Sequence, residues 1–480
     1  MQRTSASQLH AIWRILLVVC TLRHTTHASR QHRSLAIRYQ QQRLGEHHAA
    51  RQSDVSQMSS HQCTGTGYYG MTCLLYNLVL WRKQFYYIAE EEVEIPEVRE
   101  GWHMWWHPYG EAMLPEHVTV VHPSQLPWNE TDTENKPTHE RLNQALIYNW
   151  LDQANMYHVL METGNFIYAT ACKLLAACTH ASSHYQILAT GRFQYGDDNG
   201  LPAGHESLKC LSSLLPRWIG DAHWDNKVVT IGSTAVGIGV QCDDNQCEWE
   251  SVPFMQNNYT SGHRQLMLDC LGVDGQATAP SRNNTSVTIA QRLLSRGRSF
   301  LNVVEMQAAI QKHGAAVQVV HLEGKTLKQQ AEVLSRTHVY ILFHGAAMAL
   351  YMFLPKHAAI IEIQHYYANS PTFPSGLYER TTAKYDMEYL HTTLVSPQPH
   401  DIVLQRDKIV DDDVYKSMPA EDKVALWEQG LCPGKEDNVT DHCVSKWIFY
   451  AGNLIVNISE LMKRYEQAWQ NLPSDPVSSQ

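Results

Sequence analysis

The sequence predicts an α/β protein built from two doubly wound units, and three observations carry that expectation. Its 480 residues, 44% of them apolar, suffice for two ordinary hydrophobic cores. Between Val287 and Ile363, short apolar runs alternate with stretches of helical period, the rhythm of parallel strands joined by crossover helices. A polar break from Gln276 to Thr285, holding Pro280, Asn283 and Asn284, separates this region from a less regular α/β pattern upstream.

The downstream elements follow in order. Val287 to Ile289 reads as a short strand. A helix opens at Asn302, where Asn302 and Glu305 have capping-box spacing, and Gly314 ends it. Val317 to Leu322 is a strand, and Thr326 to Arg336 a helix whose Thr326 and Gln329 form a second capping box. The strand Val339 to Phe343 turns at His344-Gly345-Ala346 into a helix running through Phe353, and Pro355 precedes the strand Ala358 to Ile363. Upstream, Asn155 to Cys178 and Ala203 to Leu215 read as helices, and Tyr185 to Ala189 and Val228 to Ile231 as strands.

This order divides the chain into residues 1–28, a signal peptide or short signal anchor; 29–60, a polar flexible stem; and two domains, 61–280 and 281–480. Ile15 to Leu22 is apolar, follows Arg3 and Arg14, and precedes a small-residue cleavage site at Thr26-His27-Ala28. That run is far shorter than the roughly 17–25 residues of a spanning helix, so a cleaved signal is favoured over a full anchor. The Arg-rich opening, free of acids before Glu46, also fits an organellar transit peptide.

Eleven cysteines without paired CxxC spacing read as disulfides of an oxidising compartment, with inert buried thiols as the alternative. Cys20 lies in the leader; local pairs are sterically feasible for Cys63 with Cys73, Cys242 with Cys247, and Cys432 with Cys443. Asn129, Asn258, Asn283, Asn284, Asn438 and Asn457 open Asn-x-Ser/Thr sequons, which act as glycan acceptors if the chain enters the secretory route. A formal net charge of −10 offers no overall basic surface for nucleic acid.

Several segments in a fixed order carry a family resemblance. They are Val287-Thr288-Ile289-Ala290-Gln291-Arg292, then Arg298-Ser299-Phe300-Leu301-Asn302, then Phe343-His344-Gly345-Ala346 with Phe353-Leu354-Pro355 and Ala359-Ile360-Ile361-Glu362-Ile363. Upstream stands Asn155-Met156-Tyr157-His158 with Glu162, and Gly452 to Tyr465 closes the series. Together these resemble glycosyltransferase family 61. The likeness runs from about residue 60 to 468 and is dense between Val287 and Ile363. It departs from the family pattern at Ala347-Met348-Ala349, where Gly-Leu-Thr is usual, and at His338, where Asp is usual.

The resemblance implies a GT-B-like fold, with residues 61–280 on the acceptor side and 281–480 binding a nucleotide-sugar. It also implies an inverting transfer of GlcNAc, xylose or arabinose from a UDP-sugar to a protein or glycan hydroxyl in the Golgi or endoplasmic reticulum lumen. The UDP-sugar would be a co-substrate, and the expected mechanism requires neither a metal nor another cofactor. Membrane attachment through the N-terminal segment is possible on this reading. The rival reading is a luminal protein that binds a nucleotide-sugar without turning it over.

Chemistry assigns roles to these residues. A departing diphosphate gains negative charge, which Arg292 and Arg298 suit by their forked donors, with Arg296 as a register rival. His344, Gly345 and Ala346, where a strand meets a helix N-terminus, offer backbone N–H groups to an anion. Glu362 in an apolar strand calls for a ribose or an internal ion pair. Asn302 is a helix cap or a donor contact. His158, with Glu162 one helical turn on, is the candidate general base, and Asp243 and Asp244 are alternatives.

No HExxH, P-loop or serine-elbow motif is present, and the Gly65, Gly67 and Gly70 spacing does not follow a strand in a recognisable dinucleotide unit. Asp132-Thr133-Glu134 mimics a metal motif but lies in a polar loop. Trp102, Trp105 and Trp106 fit either sugar stacking or a core.

Overall fold

Long apolar strands need cover on both faces, and the N-terminal half supplies them. The computed structural model describes residues 58–64, 71–96, 98–99, 112–114, 118–128, 136–148, 160–161, 164–179, 184–190, 202–214, 216–219, 222–237, 257–275, 281–364, 382, 389–395, 402–404, 413–429 and 452–474. Met58–Gln480 form one compact unit; Met1–Gln57, which contain the predicted leader and nearly all of the stem, lie outside the described residues. Among the described residues no helix is long and apolar enough to cross a membrane.

The first sheet is built from β1 (Ser60–Thr64), β2 (Thr72–Trp81), β3 (Gln84–Ile88), β6 (Val118–Val121), β7 (Thr138–Tyr148), β8 (Gln186–Ala189), β9 (Arg217–Trp218) and β10 (Lys227–Val236). A separate pair, β4 (Val98–Arg99) and β5 (Ala112–Leu114), is antiparallel. The main order is β6-β3-β2-β10-β7-β8-β9, with β1 also on β2. Strands β10, β7, β8 and β9 run parallel, whereas β2 is antiparallel to β1, β3 and β10.

This half is therefore a mixed sheet rather than the doubly wound unit expected for it. The cause is local: Arg82 and Lys83 both take positive φ, 47° and 69°, in a two-residue turn that folds β2 back against β3. The predicted helix Asn155–Cys178 is described as α1 (Gly164–Leu175), and α2 (Pro202–Leu211) and α3 (Asn257–Leu271) follow. Tyr168, Ile167 and Ala171 of α1 and Leu208 and Leu211 of α2 cover one face of the sheet, against Leu146, Tyr148 and Ile187.

The second sheet holds β11 (Ser286–Gln291), β12 (Ala316–His321), β13 (Val339–Phe343), β14 (Ala359–Gln364) and β15 (Leu390–Val395) in the order β12-β11-β13-β14-β15, all parallel. Helices α4 (Val303–Gln311) and α5 (Leu327–Leu334) lie in its crossovers, and the helix expected through Phe353 is a 3₁₀ helix, Ala346–Phe353. The capping box at Thr326 and Gln329 is formed in full.

Side chains along β13 alternate between two cores. Tyr340 and Leu342 join α5 and the 3₁₀ helix, while Val339, Ile341 and Phe343 join α4. The second core is closed by the C-terminal helix, whose Leu461, Tyr465 and Ala468 belong to it. Before that helix come β16 (Ile402–Leu404), α6 (Asp413–Ser417), α7 (Ala420–Gln429) and β17 (Gly452–Leu454), the helix itself being α8 (Ile458–Asn471). Helices on both faces make this half the doubly wound unit the sequence predicts.

The helical layers of the two halves share one apolar cluster, in which Cys210, Met267 and Leu268 meet Leu327, Ala331 and Met352. Glu206 of α2 accepts from the Leu327 backbone N–H at 2.5 Å, placing a carboxylate at the N-terminus of α5.

Three disulfides are described: Cys63–Cys73, as expected, and Cys172–Cys178 and Cys210–Cys270, which were not. The other proposed pairs, Cys242 with Cys247 and Cys432 with Cys443, lie outside the described residues. Cys210–Cys270 ties α2 to α3 across a separation of 60 residues inside the shared core. Replacing both cysteines by alanine is expected to lower stability by about 2–4 kcal/mol, read by denaturant unfolding under oxidising conditions.

Candidate functional site

The strand order fixes where a ligand can sit. The chain leaves β11 toward β12 and β13 toward β14, on opposite sides, so a crevice opens beyond the carboxyl ends of β11 and β13. Arg292 follows the first of these ends and His344 the second.

Between β11 and α4 the chain forms a closed loop. Gln291 Nε2 donates to the Phe300 carbonyl at 2.9 Å, and the Phe300 N–H donates to Gln291 Oε1 at 3.0 Å. Ser299 Oγ donates to the Arg292 carbonyl at 3.0 Å. Gly297 and Arg298 then take φ of 72° and 57°, and the Arg298 N–H donates to the Gly452 carbonyl at 2.7 Å. A left-handed arginine is costly, and the bonds on either side of it hold the conformation.

The Arg298 guanidinium lies directly on Gly345. A methyl group built on Gly345 would stand 2.6 Å from Arg298 Nη1 and 3.5 Å from Cζ, and Gly345 has φ of 154°. Two positions that are 47 residues apart are thus brought together at the crevice. Ala346 opens the 3₁₀ helix and is half-buried, with Gly345 as its N-cap. Arg292 lies nearby in sequence but pairs through Nε with Glu323 Oε1 at 3.4 Å, with both side chains about a third exposed. The backbone of Arg296 is described within a short 3₁₀ turn, Leu294–Arg296.

Glu362 has internal partners, in keeping with one of the two alternatives read for it. Its carboxylate accepts from His344 Nδ1 and Gln364 Nε2 on one oxygen and from His391 Nε2 on the other, the last two at 2.9 Å. Burial raises its pKa, but hydrogen bonds and charge from His344 and His391 outweigh that and bring it down to about 2. The carboxylate is 1% exposed, so an approaching ribose would meet it through its partners rather than directly.

The capping-box reading of Asn302 is corrected. It stands at the N-cap position of α4 but makes no side-chain cap; its amide donates to the Val456 carbonyl and accepts from the Val456 N–H, both at 2.9 Å. The Asn302–Glu305 capping box therefore gives way to a tertiary clamp on the segment before α8. Asn453 Oδ1 accepts from the Ser299 N–H at 3.0 Å in the same seam. Asn302→Ala is expected to cost about 1–3 kcal/mol and to speed amide hydrogen exchange at 452–456.

His158 and Glu162 lie outside the described residues, as do Asp243, Asp244, the tryptophan cluster, Asp132-Thr133-Glu134 and the sequon residues Asn129 and Asn438. Asn283, Asn284 and Asn457 are exposed, Asn457 capping α8 through its side chain, and Asn258 lies in α3. Among the described residues no group of three His, Cys, Asp or Glu is arranged to hold a metal ion.

The residues that sequence reading missed are Gln291, Gln364, Thr382 and His391. The first was read as part of a motif, Gln364 and His391 lie in β14 and β15, and Thr382 lies in neither; a polar residue within an apolar strand is the signal that would have found Gln364 and His391.

The family model described as Glycosyltransferase 61 matches residues 154–361. This stretch takes in α1 to α5, the β11–α4 loop, the β13 turn and the first half of β14, and over it the chain is similar to glycosyltransferase family 61. Comparison with curated proteins gives no match.

Of the departures from the family pattern, Ala347 lies in the turn itself and His338, Met348 and Ala349 lie away from it. His338 Nδ1 accepts from the Ser286 N–H at 3.2 Å, at the opposite ends of β11 and β13, and Met348 and Ala349 are buried in the shared core.

Proposed function

We propose that the protein is an inverting glycosyltransferase that holds the diphosphate of a UDP-sugar at the crevice between β11 and β13. The observation that carries this reading is the Arg298 guanidinium laid against Gly345 at the switch point of a parallel sheet. Guanidinium forks bind phosphate oxygens, and a glycine beneath them lets the ligand approach the backbone at His344–Ala346. Arg292 contributes positive charge at the rim, shared with Glu323.

The reaction forms a bond from an acceptor oxygen to the anomeric carbon while the bond from that carbon to the diphosphate breaks. The leaving UDP takes the electron pair, and its growing charge is met by Arg298 and the turn. The acceptor proton goes to a base on the opposite face, for which His158, oriented by Glu162, is the proposed group. With fixed donors in place the reading calls for no resident metal or cofactor. The donor sugar is GlcNAc, xylose or arabinose, the acceptor a protein or glycan hydroxyl, and the setting the Golgi or endoplasmic reticulum lumen, consistent with three disulfides and exposed sequons.

Calorimetric titration of the full chain with UDP tests this. Wild type is expected to bind, and Arg298→Ala to bind roughly 10- to 100-fold more weakly, as losing a charged hydrogen-bond partner worth about 1.5–3 kcal/mol requires. Equal affinity in both would remove Arg298 from the site.

A further inference from the structure

The carboxylate of Glu362 is held from two sides. His344 lies at the turn beside Gly345; His391 lies on the neighbouring strand β15 and donates from Nε2 to Oε2 at 2.9 Å. The other ring nitrogen of His391, Nδ1, stands 3.1 Å from Thr382 Oγ1. All four groups are buried: the side chains of His344, His391 and Glu362 are 6%, 3% and 1% exposed, and Thr382 is 2% exposed.

An ionised carboxylate only accepts, so each imidazole must present an N–H to it. This puts a proton on Nδ1 of His344 and on Nε2 of His391; in neutral His391, Nδ1 then accepts from the Thr382 hydroxyl. Removing His391 would leave Oε2 a buried, unsatisfied acceptor. The carboxylate relieves that cost by turning toward another donor or by taking up a proton, and either change loosens its grip on His344.

We infer that His391, oriented by Thr382, is a positioning residue for the donor site: it fixes Glu362 so that Glu362 fixes His344 beside Gly345 and Arg298. This inference rests on the donor-site reading. His391 touches no substrate; it acts through two intermediates, much as outer partners orient the histidines of metal sites.

The test titrates UDP into the full chain carrying His391→Leu, His391→Gln or Thr382→Val, with circular dichroism and the ligand-free melting midpoint recorded for each. His391→Leu is expected to weaken UDP about tenfold, and His391→Gln, whose amide can still donate to Oε2, to stay within about threefold of wild type. Thr382→Val, nearly the same shape without the hydroxyl, is expected to weaken binding about two- to threefold.

A folded His391→Leu chain with wild-type affinity overturns the inference, as does a glutamine variant no better than leucine. If His391→Leu fails to fold, wild-type affinity in folded Thr382→Val overturns it instead. A wild-type chain that binds no UDP overturns the donor-site reading and the inference with it, whereas wild-type binding with indifferent variants sinks the inference alone.

Discussion

Glu362→Ala is expected to cost about 3–5 kcal/mol of folding stability, because it strips two buried imidazoles of their shared acceptor while leaving them inside the core. The carboxylate sits at the junction of β13, β14 and β15, where His344, Gln364 and His391 all converge. The same network sets a pH dependence. The folded pKa of Glu362, about 2, lies below its ordinary 4.5. Its contribution is therefore complete above pH 4.5, declines as the pH falls, and is gone below about pH 2. A shift of this size corresponds to something on the order of 3 kcal/mol. Denaturant unfolding at steps from pH 5 to pH 2 reads it directly: wild type should lose stability over that window more steeply than Glu362→Gln, and parallel curves would show that the carboxylate is not held as described.

Gly345→Ala carries the second large effect, and it should fall on ligand binding more than on the fold. The added methyl would come within 2.6 Å of Arg298 Nη1, the far end of a long side chain that can swing aside. The fold then loses only the backbone strain at φ 154°, about 1–3 kcal/mol. The guanidinium, however, leaves the position from which it would meet phosphate, and UDP affinity is expected to drop at least as far as in Arg298→Ala, roughly 10- to 100-fold. Titration of Gly345→Ala beside Arg298→Ala and the double variant checks this. Coupled residues give a double variant little weaker than either single one.

Local signals that agree with tertiary structure were legible. Val339 to Phe343 is buried on both faces and reads as a strand without ambiguity, and Thr326 with Gln329 forms the predicted cap because, among the described residues, neither side chain has a competing partner outside its own turn. Asn302 and Glu305 have the same spacing and fail, since the Asn302 amide finds a better pair of backbone groups 154 residues away, at Val456. Sequence spacing cannot register that competition. The hairpin at Arg82–Lys83 was hidden for a related reason: its turn type is usually marked by Asn or Gly, and neither is there.

The site divides along the same line. Arg298, His344 and Gly345 were singled out because each belongs to a dense motif, and the structure brings Arg298 onto Gly345. The partners of Glu362 were half legible: a carboxylate in an apolar strand demands one, but His391 lies on a strand not read from the sequence. Disulfide connectivity was open by nature. Cys210 and Cys270 meet only because α2 and α3 pack side by side.

Amide hydrogen exchange of the full chain, with and without millimolar UDP, tests the central claim most directly, since it asks where a nucleoside diphosphate binds as well as whether it does. Slowed exchange confined to the loop 291–301 and the turn 343–347 is the predicted result. Protection absent from both segments, or concentrated elsewhere in the chain, would contradict a donor site between β11 and β13.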